Sequence, residues 1–224
     1  MQETSQNIPR IIHYCWFGNS EFPPLIKKCM ATWEKHLTDW KIIRWDESNI
    51  PADVAYLNYA LEQKLYAFAA DYMRFHVLHQ YGGIYLDTDI EVIKDLSPLL
   101  CEEYEAFASS EAKSVVHING AVLGGKPQAL FFKKAMEKYT YSNNFIFQPI
   151  PKILNQIQQA YPNSITILPF DYFYPYNPYD CEQPVKQLMY CDMTPNTYTI
   201  HHWYKSWKLS KWQKFRNSLI KRIT

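Results

Sequence analysis

The chain has 224 residues, with 23 Lys plus Arg against 22 Asp plus Glu and a formal net charge of +1. So even a balance leaves no electrostatic footprint for nucleic acid, and the length suits one large domain with a substantial core. Five cysteines (Cys15, Cys29, Cys101, Cys181, Cys191) are scattered without a Cys-X-X-Cys, which argues against a disulfide framework or zinc knuckle and for a reducing cytosol. The first seven residues lack a basic start and an apolar run, and no segment has the length and apolarity to span a bilayer, so a soluble or peripheral cytoplasmic protein is expected. Aromatic residues make up 17%, including 18 Tyr and 7 Trp, enough for stacking surfaces beyond the core.

In chain order, residues 8–18 are β-branched and aromatic up to Gly18 and read as a first strand ended by a turn. Residues 24–38 follow Pro23 and Pro24 with Leu25, Cys29 and Trp33 four apart, the stripe of a helix. Trp40 to Trp45 is the second strand, so the chain opens as a parallel β-α-β crossover. Leu61, Leu65, Phe68, Tyr72 and Phe75 then recur at three- and four-residue intervals, predicting one helix that Gly82 and Gly83 end. Asp71 and Arg74 lie three apart on that helix, placed to pair or to grip a polar ligand together. Ile84 to Leu86 reads as a short buried strand running into Asp87-Thr88-Asp89. Alternation along an extended chain would point both carboxylates to one side. Two carboxylates facing one site call for a cation, and oxygen ligands suit Mg²⁺ or Mn²⁺.

Further on, Tyr104–Ala108 and Val115–Leu123 are expected as strands, with Asn119-Gly120 interrupting the second as a turn. Pro127–Tyr139 and Pro151–Ala160 read as helices. Residues 161–198 are too aromatic for a disordered linker and read as an ordered loop on the sheet. Tyr198 to His202 alternates as a strand, so His201 and His202 face opposite ways and at most one reaches the acid pair. Imidazole is a competent further ligand beside carboxylates. After Asp192, the last acid, come seven basic residues from Lys205 to Arg222. Trp212, Phe215, Leu219 and Ile223 share one helical stripe, so 208–224 is expected as a basic amphipathic helix, either docked on the domain or lying on an anionic membrane surface.

Ala69-Ala70-Asp71-Tyr72-Met73-Arg74 followed by Tyr81 to Asp89 resembles the DXD-containing sugar-transferase region of glycosyltransferase family 32, to which clostridial toxin glucosyltransferase domains are similar. The His201-His202-Trp203 run with the following Ser206 and Trp207 is similar to the end of that family's catalytic domains. The resemblance implies an α/β GT-A fold, a Rossmann-like mixed sheet flanked by helices in a single domain over 1–207, with 208–224 as the separate C-terminal helix. It implies Mn²⁺ or Mg²⁺ held by Asp87, Asp89 and His201, with Asp87 also reaching the ribose, and donor-sugar hydroxyls held by Asp71 and Arg74. It places Trp16 against the nucleotide base, Lys205 on the diphosphate, Ser206 and Trp207 over the leaving group, and Asn119 near sugar and acceptor. His13 is left as a core residue. Relatives often carry Ser where this chain has Ala70, so a hydrogen bond to the donor is expected to be missing.

The activity so implied is transfer of a hexose from a UDP- or GDP-linked donor to a saccharide acceptor with retention of configuration, in bacterial capsular or cell-surface polysaccharide synthesis. A lipid-linked acceptor at the inner membrane face would suit the basic tail. Two other classes remain open at this point: a phosphatase with an Asp-X-Asp nucleophile, which Glu91 two residues after Asp89 disfavours, and a non-catalytic nucleotide-sugar or saccharide-binding module.

Overall fold

The computed structural model describes residues 7–113, 116–140, 148–179 and 189–204. Strand β1 (Ile11–Cys15) leads through helix α1 (Pro24–His36) to β2 (Lys41–Trp45), which pairs with it in parallel register. Helices α2 (Ala55–Glu62) and α3 (Tyr66–Tyr81) follow, then β3 (Gly83–Leu86), parallel to β1 on its other side. The expected single helix through Leu61 is thus two. The chain breaks at Lys64, whose φ of 55° no helix accommodates. Both helices present Leu61, Leu65 and Phe68 to one apolar cluster, so the periodicity reported burial rather than backbone continuity.

The helix stop at the glycines is borne out, and space explains it as well as backbone freedom. Gly82 (φ 65°) donates its N–H back to Leu78, and a Cβ on Gly83 (φ 100°) would lie 2.5 Å from the Ile11 carbonyl oxygen.

Three further strands complete the sheet: β5 (Ala106–Ser110) and β6 (Ile118–Gly125), with β4 (Ile90–Val92) preceding them outside it, and β7 (Thr166–Leu168). The order is β2-β1-β3-β6-β5-β7, in which β6 alone runs antiparallel to its neighbours. The carboxyl ends of the other five strands and the first residues of β6 therefore share one rim. Helices α2, α3, α4 (Leu130–Thr140) and α5 (Ile150–Ala160) cover one face around Phe75, Tyr85, Phe131 and Leu154. The other face is covered by α1, the short α6 (Phe170–Phe173) and a two-stranded ribbon of β4 with β8 (Thr199–His201). Trp33 of α1 is fully buried there and donates its Nε1–H to the Ile90 carbonyl at 2.7 Å.

Asn119-Gly120 is not a turn. It lies inside β6, where a Cβ at residue 120 would sit 2.7 Å from Ile150 Cδ1 and 3.0 Å from Arg74 Nη1. Glycine is there to let a guanidinium approach. The aromatic stretch after 161 is ordered over its described part, with Tyr174 buried and its hydroxyl accepting the Val122 N–H at 3.0 Å. The proposed helix 208–224 lies outside the described residues.

His13, assigned to the core, is fully buried. Its Nδ1 accepts from Trp45 Nε1 at 3.1 Å and its Nε2 bonds the Gly82 carbonyl at 2.9 Å. An indole only donates and a carbonyl only accepts, so one neutral tautomer satisfies both partners. Burial lowers its pKa to about 4, against the Gly82 bond that favours the charged form.

Candidate functional site

The site lies at the rim where β3 ends. Asp87-Thr88-Asp89 is a tight turn, closed by the Ile90 N–H on the Asp87 carbonyl at 3.0 Å. The expected extended alternation does not hold: the turn sends the two carboxylates to different partners.

Asp87 turns toward Arg74. The Arg74 guanidinium lies at the centre of a buried cluster, with Nη2 2.7 Å from Asp71 Oδ1 and 3.4 Å from Asp87 Oδ1. Its Nη1 donates to the Gly120 carbonyl at 2.5 Å, its Nε to the Ala70 carbonyl at 3.4 Å, and its Cζ lies 4.8 Å from the centre of the Tyr85 ring. Three of its five N–H groups are therefore hydrogen-bonded within the protein, and Asp87 is paired to it by charge. The helical Asp-Arg spacing, which on a surface would form a weak ion pair, has been taken into the interior and shared with a second acid. Burial pushes Asp71 up to about 7 against the pull of Arg74, with Asp87 adding like-charge repulsion. Burial likewise raises Asp87, which shares that one cation and also faces Asp89. Behind them burial pushes the Cys15 thiol up to about 12, so it remains protonated and is no nucleophile.

Asp89 faces the ribbon. Its Oδ2 lies 3.3 Å from His201 Nε2 and accepts the Tyr204 backbone N–H at 2.7 Å. Burial opposes its charge, but His201 and these N–H groups hold its pKa below the usual range. The opposite facing of the two histidines is borne out: His202 bonds Glu91 at 2.7 Å, away from Asp89. His201 is buried, its ring lies tilted against Trp203 at 4.2 Å between centroids, and its Nδ1 has no hydrogen-bond partner among the described residues. Trp203 holds a φ of 55°, strained for a bulky side chain, and is anchored by its Nε1–H on the Tyr176 carbonyl at 3.0 Å.

Hard oxygen donors beside the His201 Nε2 that faces them are a donor set that fits a divalent cation. The set is open, however: among the described residues no three His, Cys, Asp or Glu side chains converge into a closed cluster, Asp87 being drawn to Arg74.

Trp16 lies just beyond β1 on the same rim, half-buried, its Nε1–H on the Ser20 carbonyl at 2.8 Å and its ring 4.7 Å from Phe22. Asn119 is buried, donating from Nδ2 to Glu111 at 2.6 Å and accepting the Ala121 N–H at 2.8 Å. Lys205, Ser206 and Trp207 lie outside the described residues. Glu111 and Tyr85 were missed by sequence reading. Nothing marks the first except its place just after a strand, and the second reads as ordinary core. A surface cavity of about 400 Å³ lined by Glu105, Tyr161 and Asn163 lies at the opposite end of β5 and takes no part.

Residues 23–106 match the family described as the glycosyltransferase sugar-binding region containing the DXD motif. An uncharacterized glycosyltransferase of Acanthamoeba polyphaga mimivirus is 27% identical over 219 residues, covering 89% of this chain and 84% of that one. The mannosyl phosphorylinositol ceramide synthase of Saccharomyces cerevisiae is 28% identical over 66% of this chain, which spans only 39% of that protein. Among solved structures, PaToxG glycosyltransferase superposes with a TM-score of 0.57 at 18% identity, over 70% of this chain and 71% of that one. The galactosyltransferase LgtC, in complex with donor and acceptor sugar analogs, gives 0.50 at 16% identity over 92% and 94%. The fold is thus the expected GT-A arrangement, the resemblance to DXD sugar transferases is borne out, and the chain is a glycosyltransferase.

Proposed function

We propose that this glycosyltransferase is metal-dependent and moves a hexose from a UDP- or GDP-linked donor to a saccharide acceptor, its catalytic unit spanning 1–207. The observation that carries the reading is the division of labour at the DXD turn: Asp87 is drawn to Arg74, while Asp89 faces the Nε2 of a buried histidine, carboxylate and imidazole side by side on the rim. Asp89 and His201, joined by Asp87, would hold Mn²⁺ or Mg²⁺, which supplies positive charge to a departing diphosphate.

The chain's own residues do the rest. Arg74 fixes Asp71 and Asp87, so its work is mostly to hold the two acids in place, with the N–H groups left over available to a donor-sugar hydroxyl. Trp16, half-buried on the same rim, is the platform for the base. Cys15 offers no nucleophile, which accords with front-face attack by the acceptor and retention. Lys205, Ser206 and Trp207 follow Tyr204 directly and are assigned to the diphosphate. The yeast relative is named for making a mannosylated lipid, so a lipid-linked saccharide at a membrane face, with 208–224 as the contact, extends the same reading; a capsular or cell-surface product is the bacterial form of it.

Incubation with Mn²⁺ or Mg²⁺ and a panel of UDP- and GDP-hexoses should release free nucleotide slowly from one donor. Loss of that release with Asp89→Asn is expected; a panel without any release, or release indifferent to a chelator, overturns the reading. Liposome flotation with and without 208–224 tests the membrane contact, which fails if both forms stay in the soluble fraction.

A further inference from the structure

The rim carries a second polar cluster on the far side of β6 from Arg74. The Glu111 carboxylate is gripped at both oxygens, by His117 Nδ1 at 2.6 Å and Asn119 Nδ2 at 2.6 Å. Its backbone is tied as well, its N–H to the His117 carbonyl at 2.8 Å and its carbonyl to Asn177 Nδ2 at 2.9 Å. Asn119 and Asn177 are both buried. An isolated surface Glu-His contact would be a weak ion pair. This one has a carboxylate held by two bonds on a residue whose backbone is tied by two more.

The cluster is joined to the donor side by three consecutive residues. Asn119 holds Glu111, the Gly120 carbonyl accepts from Arg74, and the Ala121 carbonyl accepts the Asp87 N–H at 2.8 Å. Tyr174, buried behind them, lies within electrostatic reach of both Asp87 and Glu111. A carboxylate only accepts, so in the neutral imidazole the hydrogen on His117 sits at Nδ1 and Nε2 presents a lone pair. Nε2 has no partner among the described residues, and the side chain is 48% exposed. The arrangement is an imidazole aimed and fixed by an acid, its accepting nitrogen open to solvent beside the place where a donor sugar would end.

We propose that Glu111 and His117 form the acceptor subsite, with His117 Nε2 accepting a hydrogen bond from a saccharide hydroxyl and Glu111 acting through it as a positioning residue. The inference rests on the transferase reading above and adds to it the residues that choose the acceptor. Each partner lost should cost about one hydrogen bond, roughly tenfold in acceptor use.

The test takes the full chain, the donor identified by nucleotide release, and methyl α-mannoside, methyl β-galactoside and myo-inositol as acceptor probes. The quantity read is the ratio of sugar transferred to sugar lost to water, together with acceptor KM. His117→Ala and Glu111→Gln should lower that ratio about tenfold and raise acceptor KM, and His117→Gln, which restores an accepting atom, should recover part of it. Equal ratios and KM in wild type and both variants overturn the subsite, as does donor hydrolysis without transfer to any probe. If no donor is hydrolysed by the wild type, the transferase reading fails first and takes this inference with it.

Discussion

The two acids of the DXD turn sit two residues apart in opposite circumstances. Around Arg74 every strong charge is answered from within: two carboxylates, two carbonyls and an aromatic face surround one guanidinium. Around His201 the protein leaves a buried nitrogen unanswered and tolerates a strained tryptophan beside it. The difference separates scaffold from working surface. A closed network fixes positions, and an open one stores a place for something the chain does not itself contain.

The sharpest way to break this contrast is Arg74→Met. It strips the cation from the buried Asp71 and the half-buried Asp87 and should cost about 3 kcal/mol of stability, read as a fall in the urea midpoint. A cost near zero would mean the cluster is not the scaffold described. On the open side, His201→Gln and Asp89→Asn, which keep most of the packing and a hydrogen-bonding atom, should lower the midpoint less than Arg74→Met and cut turnover by about 10²–10³-fold, with metal chelation giving the wild type the same loss of turnover. A fall in midpoint as large as that of Arg74→Met would erase the distinction.

His13 gives a control on the fold apart from both clusters. Its folded pKa of about 4 lies below the unfolded 6.5, so the unfolded chain binds the extra proton between these values. Stability from this group is therefore full above pH 6.5 and is lost as pH falls toward 4, by about 3 kcal/mol in all. His13→Gln should flatten that slope in urea unfolding between pH 7 and 4.5, with the His201 variants keeping it. The smallest effect is expected from Gly120→Ala, whose Cβ must displace Arg74 or Ile150: about 1–3 kcal/mol from crowding, with Asp87 shifted and donor KM raised.

What the sequence made legible follows from how local each signal is. The opening strand, helix and strand, the glycine stop and the facing of the two histidines depend on neighbours within a few residues, and they stand. Asn119-Gly120 reads as a turn because the dipeptide usually is one, and the reason for glycine there is an arginine 46 positions away in sequence. The DXD turn was drawn as extended because alternation says nothing about the ribbon of β4 and β8 that bends it; β4 itself is three residues long and too short to announce itself. Glu111 is ordinary in sequence and becomes notable only when Asn119, Asn177 and His117 gather on it.

The reversal of β6 also sets where this enzyme could be remodelled. One ladder fastens Asp87 to Ala121 and carries Asn119 with it, so neither wall of the cleft can be moved without unzipping the other. Glu111 and His117 stand outside that ladder, at the two ends of a short connection. Lengthening or recomposing it is the route by which a new sugar could be admitted while the machinery for breaking the old bond stays untouched.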